Sequence, residues 1–449
     1  MSFEHLNSIY RNYDIRGEYP SEINEDEVEK IGKALVLHFK AKKIAIGRDI
    51  RPSADALFLA LAKGIASQGC DVIDLGLTTT PMTYFFGGST DVDATVMITA
   101  SHMPSQYNGL KITVEDSKPV TADILQILKD IVGTHTFSTE GTMGKVTTHA
   151  MQPAWIDNFK SKHDLSDTNF KVVIDPANMI GALDIDTFKA FEPDITVHTI
   201  YDEFDHTCPN HEANPIKLET LADLGAEVIC QSANIGIAFD GDADRVGFVD
   251  ETGRAIPSDL IGALLAKFIL KKYPESTVVY DVRSSKSLSE IIHESGGTPV
   301  AEKVGHTNIK HTMRAHDAVL GIELAGHFFF KETYFSEGGP LPAFMLLELM
   351  KNEKKSLSEL VHEVSRYEHS GEINSEITRT SEAIYTDLQK AFPEAIIETL
   401  DGLTLVSKTW WCNVRPSGND PVMRLNLEAD TKEIMEKRTA EVLEIIRSS

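Results

Sequence analysis

Ser101, His102 and Lys111 share one loop, TASHMPSQYNGLK (residues 99–111), placed straight after the apolar run ATVMI, where a chain leaving a buried strand turns. A serine with a histidine beside it suggests a nucleophile and its base. Neighbouring residues of an extended chain point to opposite sides, however, so His102 is expected to face away from the Ser101 hydroxyl. A Ser–His hydrolase also favours a GxSxG elbow, which this loop lacks. Taken alone, the stretch reads as a polar turn with a capping serine. Asn108-Gly109 is a turn dipeptide on either reading.

A second loop, FDGDADR, lies between the apolar runs IGIA and VGFV. Asp240, Asp242 and Asp244 alternate, so an extended backbone puts their carboxylates on one side, where they repel unless a cation sits among them. Hard oxygen ligands suit Mg²⁺. An EF-hand is excluded although Glu251 falls at its twelfth position, because Arg245 stands at the sixth, where the sharp turn needs Gly. A cation such as Arg245 beside metal-binding carboxylates makes sense if a phosphate shares the site. The loop RPSGNDPVMR adds Arg415, Ser417, Asn419 and Arg424 around Gly418, donors suited to cradling a phosphate. In GIELAGHFFF, Glu323 and His327 flank small residues and suit the vicinal hydroxyls of a sugar; EKVGH brings Lys303 and His306 nearby.

These side chains must be held by a scaffold. KKIAIGRDIRPSADALFLALA, FKVVIDPANMIGALDI and STVVYDVRSSKSLSEII each run from an apolar strand through a polar turn into helical periodicity. Such alternation predicts βαβ units and mainly parallel sheets, in three related α/β domains. In the first, Leu57, Leu59, Ala60, Leu61 and Ile65 are expected on the core face of a helix. The last eighty or so residues, from EINSEI to the helical TKEIMEKRTAEVLEIIRS, predict a small α+β domain with an antiparallel sheet. Trp410 and Trp411 are expected to pack within it.

With 43 basic against 68 acidic residues the formal net charge is −25, which disfavours nucleic acid and anionic membrane as partners. Cys70, Cys208, Cys230 and Cys412 show no metal-ligand spacing and read as buried free thiols of a reducing compartment. The N-terminus lacks a basic region followed by an apolar one, and LIGALLAKFIL is short and carries Lys267, so the expected location is cytoplasmic.

The four loops, in this order and with these separations, resemble the α-D-phosphohexomutases, in particular the phosphomannomutase/phosphoglucomutase group. The likeness runs from YDIRG (residues 13–17) to RPSGNDP. It implies three α/β domains (1–146, 147–250 and 251–366) and a C-terminal domain of the TATA-binding-protein-like type (367–449) around a central cleft. It further implies that Ser101 is the phosphorylated serine, and that Asp240, Asp242 and Asp244 hold one Mg²⁺ with a phosphoserine oxygen. Glu323 and His327 would take the sugar hydroxyls, while Arg415, Ser417, Gly418, Asn419 and Arg424 take the non-reacting phosphate. Tyr13, Arg16, His102, Lys111, Arg245, Lys303 and His306 would surround the reacting phosphate and sugar. The activity implied is interconversion of hexose 1-phosphate and 6-phosphate through a hexose 1,6-bisphosphate, which also serves as activator, in a monomer or homodimer.

Five positions depart from the family pattern: Met103 for Asn, Ala325 for Ser, Arg283 for Lys, and Asn419-Asp420 for Thr-Glu. The alternatives are a phosphoglucosamine mutase of the same superfamily, a phosphatase with Asp240 as nucleophile of a DxD strand end, and a sugar-phosphate-binding protein without turnover.

Overall fold

A computed structural model describes residues 3–11, 13–137, 142–417 and 422–448. Contacts gather the chain into two compact units: Met1–Ser258 with Val319–Gly321 and Ala325–Ser358, and Asp259–Ala318 with Ile322–Leu324 and Glu359–Ser449.

The first unit holds two mixed sheets. One is built from β1 (Ile15–Glu18), β2 (Lys43–Arg48), β3 (Asp71–Leu77), β4 (Ala94–Ile98), β5 (Tyr107–Val114), β6 (Lys118–Pro119) and β7 (Val146–Thr148). Its order is β1-β5-β4-β2-β3-β7, with β6 beside β5. β2 runs parallel to β3 and β4, whereas β5 is antiparallel to both β4 and β1. The other contains β8 (Phe170–Asp175), β9 (Ile195–Thr199), β10 (Ile235–Phe239), β11 (Val246–Asp250) and β12 (Ala255–Ile256), in the order β12-β11-β10-β8-β9. Here β8 is parallel to β9 and β10, and β10 turns back into antiparallel β11.

The two sheets thus use one device. A fully buried parallel strand, β4 or β10, ends in a loop that feeds an antiparallel neighbour, and that loop is the serine loop or the aspartate loop. Carboxyl ends of parallel strands are where open α/β sheets place ligands.

Helices Glu25–Phe39 and Ala54–Ser67 bury one face against the first sheet. The former starts where Asn24 accepts the Glu27 N–H, with three acids in its first turn. Leu57, Leu61 and Ile65 are fully buried, as their i, i+4, i+8 spacing requires, but Leu59 is 67% exposed. Two residues past Leu57 is about 200° round a helix, which turns Leu59 away from the core.

In the second unit, parallel strands β13 (Thr277–Asp281) and β14 (Thr298–Glu302) are followed by the C-terminal antiparallel sheet. Its order is Glu368–Glu376, Val422–Ala429, Trp410–Pro416, Leu403–Val406, Ile396–Glu398. Helices Ser381–Ala391 and Lys432–Arg447 bury Ile384, Leu388, Val442 and Ile446 with Trp410, Cys412 and Leu425. Both tryptophans pack as expected, and Trp411 Nε1 donates to Glu428 at 2.8 Å. The four cysteines are free thiols, but only Cys70 and Cys412 are buried; Cys230 is exposed, two residues past Val228 on a helix that buries Leu224 and Val228. Among the described residues no helix is long and apolar enough to cross a membrane.

Candidate active site

Ser101 leaves β4 in the left-handed region (φ +52°), and its N–H donates to Thr99 Oγ1 at 3.0 Å. Its hydroxyl donates to Asp240 Oδ2 at 2.8 Å, 139 residues away in sequence. The left-handed turn also overturns the expectation for His102, because the chain is not extended here and His102 Nδ1 lies 3.3 Å from Ser101 Oγ. Burial, reinforced by Arg245 and Arg16, pushes the His102 pKa down to about 3. The imidazole is therefore neutral, and the shorter contact of Ser101 is with Asp240.

Asp240, Asp242 and Asp244 are all buried, and one ligand atom from each lies within 4.8 Å of the others. They are gathered by a tight turn with Ala243 at φ +60°, in place of the expected extended strand. The chain reverses between antiparallel β10 and β11, and the turn that reverses it converges the carboxylates. Lys111, from β5, places Nζ 2.6 Å from Asp242 Oδ2 and 2.5 Å from Asp244 Oδ2. Burial opposes the lysine's charge, but Asp242 and Asp244 outweigh it and hold its pKa well above the ordinary value. Asp240 is driven the other way for a carboxylate: burial, then Asp244 and Asp242, raise its pKa well above the usual range.

The Arg245 N–H donates to Asp240 Oδ1 at 3.2 Å, and Arg245 Nε donates to His327 Nε2 at 3.1 Å. That bond leaves the proton of a neutral His327 on Nδ1, which lies 3.7 Å from Asp244 and 3.6 Å from Glu337. Arg16 lies on β1 and donates to Asp14 at 2.5 Å, while Tyr13 precedes that strand and is partly exposed.

The donor set fits a hard divalent cation. Three buried carboxylates share one loop, and Asp242 Oδ1 has no hydrogen-bond partner among the described residues. Lys111 compensates part of the charge at the same place.

The second unit carries a separate cluster. Glu323 Oε1 lies 3.4 Å from Arg283 Nη2, and Arg283 also grips Asp281 through Nε and Nη2. Glu372 stands 3.7 Å from Arg283, 3.5 Å from Arg415 and 3.4 Å from Arg424. Burial first, and Arg283 next, lower the Arg415 pKa. Arg424 Nη2 donates to Ser417 Oγ at 3.2 Å. Gly418 and Asn419 lie outside the described residues. Lys303 is exposed at the end of β14, and His306 opens the helix His306–Ala315.

Sequence reasoning passes over several of these partners. Thr80, first residue of the helix Thr80–Ser89, donates its hydroxyl to Asp242 Oδ2 at 2.5 Å and its N–H to the Asp242 carbonyl at 3.0 Å. Asp49 and Arg51 follow β2 and hold the serine loop. Their signal is their place: β2 ends in a charged turn at the same sheet edge as β4.

Four family models match the chain in order. They are phosphoglucomutase/phosphomannomutase alpha/beta/alpha domain I (residues 7–139), domain II (153–253), domain III (257–367) and the C-terminal domain (372–445). A phosphomannomutase of Salmonella montevideo is 34% identical over 98% of this chain and 99% of its own length. One from Methanocaldococcus jannaschii is also 34% identical, over 98% and 97%. An X-ray structure of a phosphoglucomutase/phosphomannomutase family protein from Burkholderia thailandensis superposes with a TM-score of 0.89 at 28% identity, covering 98% of each chain. With four domain models in register and relatives matched end to end, the chain belongs to the α-D-phosphohexomutase superfamily and is an enzyme of the phosphohexomutase class.

Proposed function

We propose that this mutase interconverts the 1-phosphate and 6-phosphate of mannose, glucose or both, as a cytoplasmic monomer or homodimer with Ser101 as phosphoryl carrier. The observation that carries this reading is the placing of the Ser101 hydroxyl 2.8 Å from a buried carboxylate triad already partnered by Lys111. In the forward half-reaction a substrate hydroxyl attacks the phosphorus of phosphorylated Ser101. A phosphorus–oxygen bond to the sugar forms as the bond to Ser101 Oγ breaks, and the hydroxyl proton leaves to a base. The resulting hexose 1,6-bisphosphate turns round and returns its other phosphoryl group to Ser101; added from outside, it charges the serine and acts as activator.

Lys111, kept charged by Asp242 and Asp244, and Arg245 neutralise charge on the transferred group. Asp240, Asp242 and Asp244 would hold Mg²⁺ with an oxygen of phosphorylated Ser101, and the ion when bound would add to that neutralisation. Arg415, Arg424 and Ser417, with Gly418 and Asn419, are assigned to the non-reacting phosphate, and Glu323 and His327 to sugar hydroxyls. Tyr13, Arg16, His102, Lys303 and His306 complete the substrate contacts.

The test supplies mannose, glucose and glucosamine 1-phosphates separately, with Mg²⁺ and glucose 1,6-bisphosphate, and measures 6-phosphate formation. Conversion of the first two is expected, with the mass of one phosphoryl group on Ser101 and neither product nor label in Ser101→Ala. Release of inorganic phosphate without 6-phosphate would replace the mutase reading by a phosphatase; conversion of glucosamine 1-phosphate alone would move the substrate.

A further inference from the structure

We infer that Arg51 is the positioning residue of the phosphoryl-carrying loop, fixing Ser101 by gathering the loop's carbonyls onto one buried guanidinium. The inference rests on the reading of Ser101 as phosphoryl carrier. Arg51 Nη2 donates to the carbonyls of Ser101 (2.7 Å) and Met103 (2.6 Å), and Nη1 to those of Pro104 (2.7 Å) and Tyr107 (3.0 Å). Nε donates to Asp49 Oδ2 at 3.1 Å, so every donor nitrogen of the guanidinium is used.

Asp49 is fully buried, Arg51 is 3% exposed, and Asp49 Oδ1 takes the backbone N–H of Arg51 itself at 3.0 Å. The Asp49 N–H in turn donates to the Ile98 carbonyl at the end of β4. The guanidinium is thus anchored to the sheet that carries the loop.

Four carbonyl oxygens turned inward repel one another unless a cation with many donors in a plane fills the space between them. Arginine offers five such donors in a rigid fork; lysine offers three on a tetrahedral head and cannot reach four carbonyls and a carboxylate together. The grip includes the carbonyl of Ser101, a residue held at φ +52° where a non-glycine residue needs outside support. The contacts are to backbone oxygens, so the side chain at 103 is not what the loop is held by, and methionine is accommodated there.

The experiment compares wild type, Arg51→Lys and Asp49→Asn in the full chain, with Ser101→Ala in parallel, on mannose 1-phosphate with glucose 1,6-bisphosphate and Mg²⁺. For Arg51→Lys we expect kcat to fall ~100-fold with KM within about twofold, the signature of a displaced reacting group rather than lost binding. Amide hydrogen exchange is expected to rise in residues 101–107 and to stay unchanged elsewhere in the first unit. Asp49→Asn should show the same split to a smaller degree. Wild-type kcat in Arg51→Lys, while Ser101→Ala is dead and unlabelled, overturns the inference alone; an active Ser101→Ala overturns it together with the reading beneath it. Exchange raised across the whole first unit in both variants also overturns it, because Arg51 would then serve the core and not the loop.

Discussion

Gly241 lies directly against Ser101: a Cβ built on Gly241 would stand 2.2 Å from the Ser101 carbonyl oxygen. The aspartate loop and the serine loop touch backbone to backbone, and that closeness lets Ser101 Oγ reach Asp240. A methyl group at 241 must push the two loops apart. Gly241→Ala is therefore expected to lower the Tm and to lose about 10- to 100-fold in kcat, as a displacement of Ser101 Oγ by about an ångström would cause. Steady-state kinetics beside a thermal melt test this; unchanged kcat would show that the loop gap is not needed.

Lys111 is the built-in countercharge of the triad. Lys111→Met should lower kcat ~10²- to 10³-fold, as removal of a charge-stabilising donor does. It should also destabilise the metal-free protein by about 3–5 kcal/mol, since buried carboxylates lose their partner. Mg²⁺ is expected to raise the Tm of this variant more than that of wild type. An equal rise in both would mean that lysine and cation do not answer the same charge.

Arg415 shares Glu372 with Arg283 and Arg424, and its assigned partner is the phosphate that does not react. Arg415→Lys trades a planar fork for a point charge, so KM for the hexose 1-phosphate should rise roughly tenfold with a smaller change in kcat. A fall confined to kcat would place Arg415 at the reacting phosphate instead.

Asp184 gives the stability a pH dependence unrelated to catalysis. It is fully buried, accepts from Trp155 Nε1 at 2.7 Å, and burial raises its pKa to about 7. A carboxyl whose folded pKa is raised contributes stability below its ordinary value near 4 and loses it as pH climbs through 7. The change across that window is on the order of 4 kcal/mol. Asp184→Asn should flatten this slope, measured by urea unfolding at pH 5 and pH 8. An equally steep slope in the variant would assign it to other groups.

Residue types and their short-range order were enough to place the four loops, the α/β alternation and the antiparallel C-terminal sheet, because period, turn residues and charge are local properties. They also marked Asp240, Asp242, Asp244 and Arg245 as a metal- and phosphate-binding group, whereas Ser101 and Lys111 took a phosphoryl role only from the resemblance of the four loops to the family. Local order misjudged two conformations. Ser101 and the aspartates sit in turns with left-handed residues and not in extended chain, since each loop has to reverse the chain into an antiparallel neighbour of β4 or β10.

Only the tertiary structure decided which residues support that chemistry. The hydroxyl of Ser101 meets Asp240 across 139 residues, and Thr80 meets Asp242 across 162. Asp49 and Arg51 serve carbonyls some 50 residues further on. No spacing announces such pairs: they arise because separate strands end at the same sheet edge, and a guanidinium that binds backbone oxygens leaves no mark on the side chains it holds.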